Sequence, residues 1–337
     1  MNVQKNASLL PFNTFGIDAK ADYIIEYSSV ADLQEVLKSE TVKQNKLLHV
    51  GSGSNLLFLQ DFKGVVLHSA IEFIEKIRED ADSVCIEVGS GVVWDDFVAH
   101  AVESGWGGIE NLSLIPGEIG ASAVQNIGAY GVEVQDMIVE VKTVEVETAS
   151  VRIFSNKECC YDYRESVFKN ELKGKYIVTS VIFRLDKKPN FKLNYQHLEE
   201  EVLKTGEVNL HNIRKTIIAV REDKLPDPKI LGNAGSFFMN PIVSKHLFND
   251  LFQQYPQMPH YYVSEYEEKI PAGWLIDQCG WKGKSIGNAG VHVKQALVLV
   301  NKGGATGTEI VYLAEQIQSS VKEKFNIELR PEVNYIK

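Results

Sequence analysis

The sequence predicts a mixed α and β fold of two or three domains, and three observations lead there. Its 337 residues exceed what one compact core accommodates. A hydrophobic share of 44% and a charged share of 24% are those of an ordinary soluble globular chain. Strand and helix signals alternate early in the chain, whereas its middle is dominated by strands.

Charge and composition narrow the functions. A net charge of -10 argues against a broad nucleic-acid surface, which needs clustered Lys and Arg. An anionic ligand would therefore require a local cationic pocket. Apolar runs such as ALVLV (296–300) are strand-sized and too short for a membrane span. The opening MNVQKNASLLPFNTFG lacks the apolar stretch of a signal peptide. Cys85, Cys159, Cys160 and Cys279 show no CxxC or His–Cys spacing, so they read as reduced thiols of a cytoplasmic protein with no metal site.

The elements follow in order. DYIIEY (22–27) reads as a strand, VADLQEVLKSE (30–40) as a helix, and KLLHV (46–50) as a strand entering a glycine turn. GVVLHS (64–69) and SVCIEVGSG (83–91) are further strands. Apolar residues at 93, 94, 97, 98, 101 and 102 make one helical face, closed by Gly105. VEVKTVEVET, VRIFS and KYIVTSVIFRL continue as strands up to residue 185. A long helix, NIRKTIIAVRED, is broken by the Leu-Pro and Asp-Pro pairs of KLPDPK (224–229), which marks a domain boundary. The last third carries its own elements, among them LFNDLFQQYP, AGWLIDQCG, QALVLVN and TGTEIVYLAEQIQSSVKEKF, the last opened by a Thr306–Glu309 capping box and bearing a regular apolar face. NIELRPEVNYIK closes the chain as a strand.

Two glycine-rich stretches stand out. In HVGSGSNLLF (49–58), Gly51 and Gly53 match the first two positions of G-x-G-x-x-G, but Leu56 occupies the third. The following LLFLQDFKGVVL reads as extended, so a Rossmann dinucleotide site would lack its helix N-terminus. What remains is a nest of backbone N–H groups, with Ser52, Ser54 and Asn55 as extra donors, able to hold an anion or to serve as a plain turn. LIPGEIGASAVQNIGAYG (114–131) has eight small residues among the fifteen from Gly117 to Gly131. It reads as a long loop with little to form a core, either a bed for a flat ligand or a close-packing surface between domains. A third stretch, GNAGSFFMNP (232–241), sets Ser236 between small residues and two phenylalanines, which by itself describes a turn hydroxyl.

Taken together, the motifs resemble the UDP-N-acetylenolpyruvoylglucosamine reductase (MurB) family. They are GSGSN (51–55), IPGEIGASAVQNIGAYG (115–131), YRESVF (163–168), KLPDPK (224–229), GNAGSFFMNP (232–241), AGWLIDQCGWKG (272–283) and RPEV (330–333), in the family's order over nearly the whole chain. MPHYYVSEYEEK (258–269) is similar to the tyrosine-containing loop of the family's longer subclass. The resemblance implies an α+β vanillyl-alcohol-oxidase/PCMH-type FAD-binding fold. Its two subdomains would span residues 1–75 and 76–225, followed by a UDP-sugar domain at 226–329 and a C-terminal strand at 330–337 carrying a catalytic Glu.

The implied reaction is NADPH-dependent reduction of UDP-N-acetylglucosamine enolpyruvate in cytoplasmic peptidoglycan precursor synthesis. Hydride would pass by way of non-covalent FAD to C3, and a proton from Ser236 to C2. Arg164 matches the clamp on the substrate carboxylate, where a guanidinium offers two donors and fixed charge. Glu332 matches the third catalytic residue, which beside an anion has to be protonated or act through water. The cofactor bed would comprise Gly51, Ser52, Gly53, Ser54, Asn55, Pro116, Gly117, Ile119, Gly120, Ala121, Gln125, Asn126, Gly128 and Ala129. Tyr163, Tyr195, Lys224, Asn240, Tyr261 and Gln295 fall at substrate positions, with Tyr262 and Tyr266 as alternatives to Tyr261. Met239 stands where many relatives have lysine. The expected partner is a UDP-sugar, with no nucleic acid or membrane, and the expected state is a monomer. Two rivals remain. A flavin oxidase on the same fold often attaches flavin through a histidine in the glycine loop, but His49 precedes the turn. A non-catalytic UDP-sugar binder is disfavoured by the joint presence of Ser236, Arg164 and Glu332.

Overall fold

In the computed structural model, which describes residues 1–195 and 197–337, the strand-rich middle of the chain forms a five-stranded antiparallel sheet. Its order is Val151–Ser155, Ile138–Glu145, Tyr176–Asp186, Ser83–Gly89 and Ile74–Glu79. The central strand is covered on both faces, with Ile177 through Phe183 all buried, Thr179 and Ser180 among them. The helix Trp94–Glu103 turns Trp94, Phe97, Val98, Ala101 and Val102 of the predicted apolar face inward, whereas Val93 is the exposed residue before it, and the Phe97 and Phe183 rings meet with centroids 4.9 Å apart. Gly105 follows that helix at φ +75°, the left-handed conformation expected of a glycine past a helix end.

A four-stranded sheet orders Asn2–Ser8, Lys20–Tyr27, Phe62–Ser69 and Leu47–Val50, the last two parallel with Leu47 opposite Val65. The helix Val30–Lys38, capped by Ser29, packs Leu33, Val36 and Leu37 against it. Val144 and Ile177 of the larger sheet belong to the same cluster, so the two sheets share a core. Together they make one compact unit of Met1–Ala7, Ala21–Ser52 and Lys63–Arg221.

The second unit comprises Ser8–Lys20, Gly53–Phe62 and Glu222–Lys337. It takes up the chain at Glu222, beside the KLPDPK break, but it also claims two segments from within the span 1–75 expected as one subdomain. The reason is pairing at long range. Leu56–Phe58 runs parallel to Asn334–Ile336, Asn233 N–H donates to Thr14 O at 2.9 Å, and Asn301 Nδ2 donates to Phe15 O at 2.9 Å. A Cβ on Gly307 would lie 2.0 Å from Phe58 O, so only glycine permits that approach. Gly232–Ser236, Val298–Asn301, Ala289–Val291 and Ser285–Ile286 form this unit's main sheet, beside the helix Gly307–Phe325. The Thr306–Glu309 capping box is formed in both directions, at 2.8 and 3.2 Å. A three-stranded sheet of Ile242–Ser244, Glu267–Lys269 and Tyr261–Ser264 holds the tyrosine segment.

The stretch 114–131 is not the long loop its composition predicts. Ile119–Gln125 is helical, and Gly128–Ala129 pairs with Val132–Glu133. Ile119 and Ala123 are fully buried in the core of the first unit, so the segment does supply core. Small residues here let the helix approach a strand end: Gly120 N–H donates to Ser90 O at 3.0 Å, and a Cβ on Gly120 would sit 3.0 Å from Ser90 Cβ. Among the described residues, no helix is long and apolar enough to cross a membrane.

Candidate functional site

In the first unit the strand Leu47–Val50 delivers Gly51 and Ser52 against the helix Ile119–Gln125. A Cβ built on Gly51 would lie 3.7 Å from Ala121 Cβ and 3.0 Å from Glu118 Oε2. Ser52 Oγ and Gln125 Oε1 are buried and find no hydrogen-bond partner among the described residues. Orphaned buried polar atoms are rare in folded proteins unless a ligand or water satisfies them. With the glycine-lined backbone, they fit a cofactor carrying both hydrogen-bond donors and phosphate acceptors. Gly117 sits at φ +130°, while Pro116 is exposed. The Asn126 side chain is committed to structure. Its Nδ2 donates to Glu133 Oε2 and Asp162 O, and its Oδ1 accepts from Gln135 N–H.

Asn126 and Gly128 instead present carbonyls to Arg164, whose Nη1 and Nη2 donate to them at 3.3 and 2.6 Å. Arg164 has φ +58°, a conformation that costs a non-glycine residue energy and is held by its surroundings. Its guanidinium lies 5.6 Å from the Tyr163 ring centre, and its carbonyl accepts from Lys169 Nζ. Two further arginines surround this region. Arg214 makes a bidentate pair with Asp95 at 2.6 and 2.9 Å. Arg221 is held by Tyr130, and burial lowers its pKa from the ordinary value. The Tyr130 and Tyr195 rings meet edge to face, 5.8 Å apart. With the Arg214 charge balanced by Asp95, Arg164 and Arg221 are the cations of this region. Reading by motif missed Arg221 and Tyr130, and the tyrosine of NIGAYG was the available signal.

In the second unit Gly53 is fixed by crowding. Its φ is +69°, and a Cβ there would fall 1.8 Å from Phe12 O. Asn55 turns its amide inward, donating from Nδ2 to Glu332 O at 3.1 Å, while its own carbonyl accepts from Asn334 N–H. Ser236 ends the strand Gly232–Ser236, opposite Val298 and just past a bulge, with its side chain exposed. Phe237 and Phe238 are fully buried and anchor the strand. On its far side runs the C-terminal segment: Glu332 N–H donates to Phe237 O at 2.9 Å and Met239 N–H to Arg330 O at 2.9 Å. Ser236 and half-buried Glu332 therefore ride on neighbouring extended segments.

The other expected substrate residues are less uniform. Lys224 is exposed at the end of its helix. Asn240 Oδ1 accepts from Ala272 N–H at 2.9 Å and so ties down the helix Ala272–Gln278. Gln295 Oε1 accepts from Leu297 N–H at 3.3 Å. Tyr261 is half-buried opposite Lys269, whereas Tyr262 and Tyr266 are exposed. Beneath them buried Glu268 pairs with Lys245 and His260 at 2.5 and 3.1 Å. All four cysteines are free, and among the described residues no cluster of His, Cys, Asp or Glu is arranged to hold a metal.

Comparison with known proteins gives two family matches. Residues 21–154 match the family model of an FAD binding domain, and residues 227–336 match that of the UDP-N-acetylenolpyruvoylglucosamine reductase C-terminal domain. The chain is 52% identical over 334 residues to the UDP-N-acetylenolpyruvoylglucosamine reductase of Bacteroides fragilis, covering 99% of this chain and 100% of that one. It is 49% identical over 341 residues to the Porphyromonas gingivalis reductase, with both chains covered in full. The crystal structure of the Thermus caldophilus reductase superposes with a TM-score of 0.70 over 100% of both chains at 22% identity, which shows a shared fold.

Proposed function

The chain belongs to the UDP-N-acetylenolpyruvoylglucosamine reductase family, and on that premise we propose how its residues divide the work. The fold is the vanillyl-alcohol-oxidase/PCMH-type FAD fold. The enzyme reduces UDP-N-acetylglucosamine enolpyruvate to UDP-N-acetylmuramate with FAD and NADPH. Bound FAD supplies the hydride relay between NADPH and the substrate alkene.

Ser236 donates the proton at substrate C2. A free alcohol is a weak acid, so the role requires a fixed hydroxyl within about 3 Å of the carbon. Buried Phe237 and Phe238 fix the strand that presents it. Glu332, on the adjoining segment, hydrogen-bonds the substrate carboxylate in its protonated form or through water. Arg164, oriented by two backbone carbonyls, stabilises the negative charge that develops on that carboxylate. Gly51, Ser52, Gly117, Gly120, Ala121 and Gln125 hold the cofactor. Lys224 neutralises the diphosphate, with Tyr163, Tyr195, Asn240, Tyr261 and Gln295 contributing substrate contacts. The observation that carries this reading is the backbone pairing that sets Ser236 and Glu332 on neighbouring segments.

The test is direct. The purified protein should be yellow, release its flavin on denaturation, and oxidise NADPH faster when the enolpyruvyl sugar nucleotide is added. Absence of substrate-dependent turnover would overturn the assignment. We also propose a cytoplasmic monomer, which size-exclusion chromatography with light scattering checks.

A further inference from the structure

His68, on the strand Phe62–Ser69, sits where none of the proposed catalytic roles reaches. Its Nδ1 lies 3.3 Å from Glu26 Oε2 and its Nε2 lies 3.2 Å from Glu118 Oε1. Glu118 is buried, and its second oxygen faces the glycine loop, 3.0 Å from a Cβ built on Gly51. A carboxylate is thus buried at the joint between the loop 51–52 and the helix Ile119–Gln125. Unpaired, it would be costly there. It would also repel any anion that the loop amides bind.

The groups around His68 leave it as the switchable charge. Glu26 comes from the strand Lys20–Tyr27 and Glu118 from the residue before the helix. His49 comes from the parallel strand, with the Tyr27 hydroxyl 2.7 Å from its Nε2. Burial, then the charge of His68, pushes the His49 pKa down to about 4, so it is neutral near pH 7. Burial raises the Tyr27 pKa and keeps that hydroxyl neutral too. For His68 itself burial acts downward. The hydrogen bond and charge of Glu118, then those of Glu26, outweigh it and leave the pKa raised.

We propose that His68 is a positioning residue for FAD: protonated, it neutralises Glu118 and allows the glycine loop to hold the cofactor pyrophosphate. The inference rests on the reading of residues 51–52 and 117–121 as part of the FAD bed. The sign follows from the raised pKa. Compensation is complete below the ordinary histidine value of about 6.5 and is lost as pH rises through the higher folded value. A bound pyrophosphate favours the imidazolium further, so FAD binding takes up a proton only as pH rises through and above that folded value, and it weakens there.

The experiment measures FAD dissociation from diluted holoenzyme by released-flavin fluorescence across about pH 6–9, a range that spans histidine titration. Expected is a dissociation constant that rises with pH in the parent protein. His68→Gln should weaken FAD binding roughly tenfold or more at the low-pH end, by exposing the cofactor to an uncompensated charge, and flatten the slope. The double variant His68→Gln with Glu118→Gln should recover the affinity. Glu118→Gln alone should also flatten the slope, and its side chain makes no cap bond whose loss would disturb the helix. If His68→Gln fails to fold, that single variant decides: an unchanged slope overturns the proposal. So does a double variant no better than His68→Gln. Hydrogen exchange separates the premise from the inference. Amides 51–52 and 117–121 unprotected by FAD would refute the FAD-bed reading, whereas protected amides with an unchanged slope would refute only the role of His68.

Discussion

The Glu332 amide donates to the Phe237 carbonyl at 2.9 Å, which pins the residue beside Ser236 to the segment carrying Glu332. Neither residue can shift along its segment without breaking this pairing or the one between Met239 and Arg330. The proposed acid and the proposed carboxyl partner are thereby held in register by backbone alone.

Ser236 is exposed and packs against no core, so Ser236→Ala should leave thermal stability unchanged. Stopped-flow spectroscopy should show flavin reduction by NADPH at the parent rate. Reoxidation by substrate should slow by roughly 10²–10⁴-fold, the range for lost general-acid help. A collapse of the first half-reaction would make Ser236 structural.

Arg164→Lys keeps a positive charge but loses the planar fork that binds two carbonyls and, in the proposed role, clamps the substrate carboxylate. Substrate turnover should fall by roughly 10²–10³-fold, as when one preorganised donor is removed. Flavin reduction by NADPH should persist. Equal loss in both half-reactions would argue against a carboxylate clamp.

Phe237 is fully buried, with its ring 6.2 Å from that of Phe15 and 5.1 Å from that of Phe238. Phe237→Ala should destabilise the second unit by about 3–5 kcal/mol, the usual cost of emptying a packed aromatic site. Urea unfolding followed by intrinsic fluorescence checks this, and a change below about 1 kcal/mol would mean that the site collapses around the smaller side chain.

Burial pushes the Asp95 pKa up, but the hydrogen bond from Arg214 and that from Leu114 N–H outweigh it and hold the carboxyl below the usual range. Its contribution is therefore present above the unfolded value of about 3.9 and is lost as pH falls through the lower folded value. Asp95→Asn should be less stable than the parent near pH 7, with the gap narrowing in acid. Melting curves at several pH values test this, and a gap independent of pH would refute it.

Much of the fold was legible where pattern and local chemistry coincide. The helix Gly307–Phe325 begins at its capping box, and the absence of a helix after Gly51–Gly53 follows from the extended run Leu56–Phe58. The helix Ile119–Gln125 was hidden because seven residues, mostly small, carry no amphipathic period. The recruitment of residues 53–62 into the second unit was hidden because strand pairing over such sequence distances leaves no local mark. Ser236, Arg164 and Glu332 could be named from their motifs. Arg221 and His68 could not, since an arginine in a helix reads as a solvated side chain and His68 lies in an apolar strand run.

The parallel pairing of Leu56–Phe58 with Asn334–Ile336 also bears on biosynthesis. Residues 56–58 leave the ribosome long before their partner strand has been translated. The first unit, which ends at Arg221, has all its segments available well before that point. The second unit must keep an apolar strand waiting, Leu57 and Phe58 included, until synthesis is nearly over. Through most of translation Leu57 and Phe58 are therefore without their native cover.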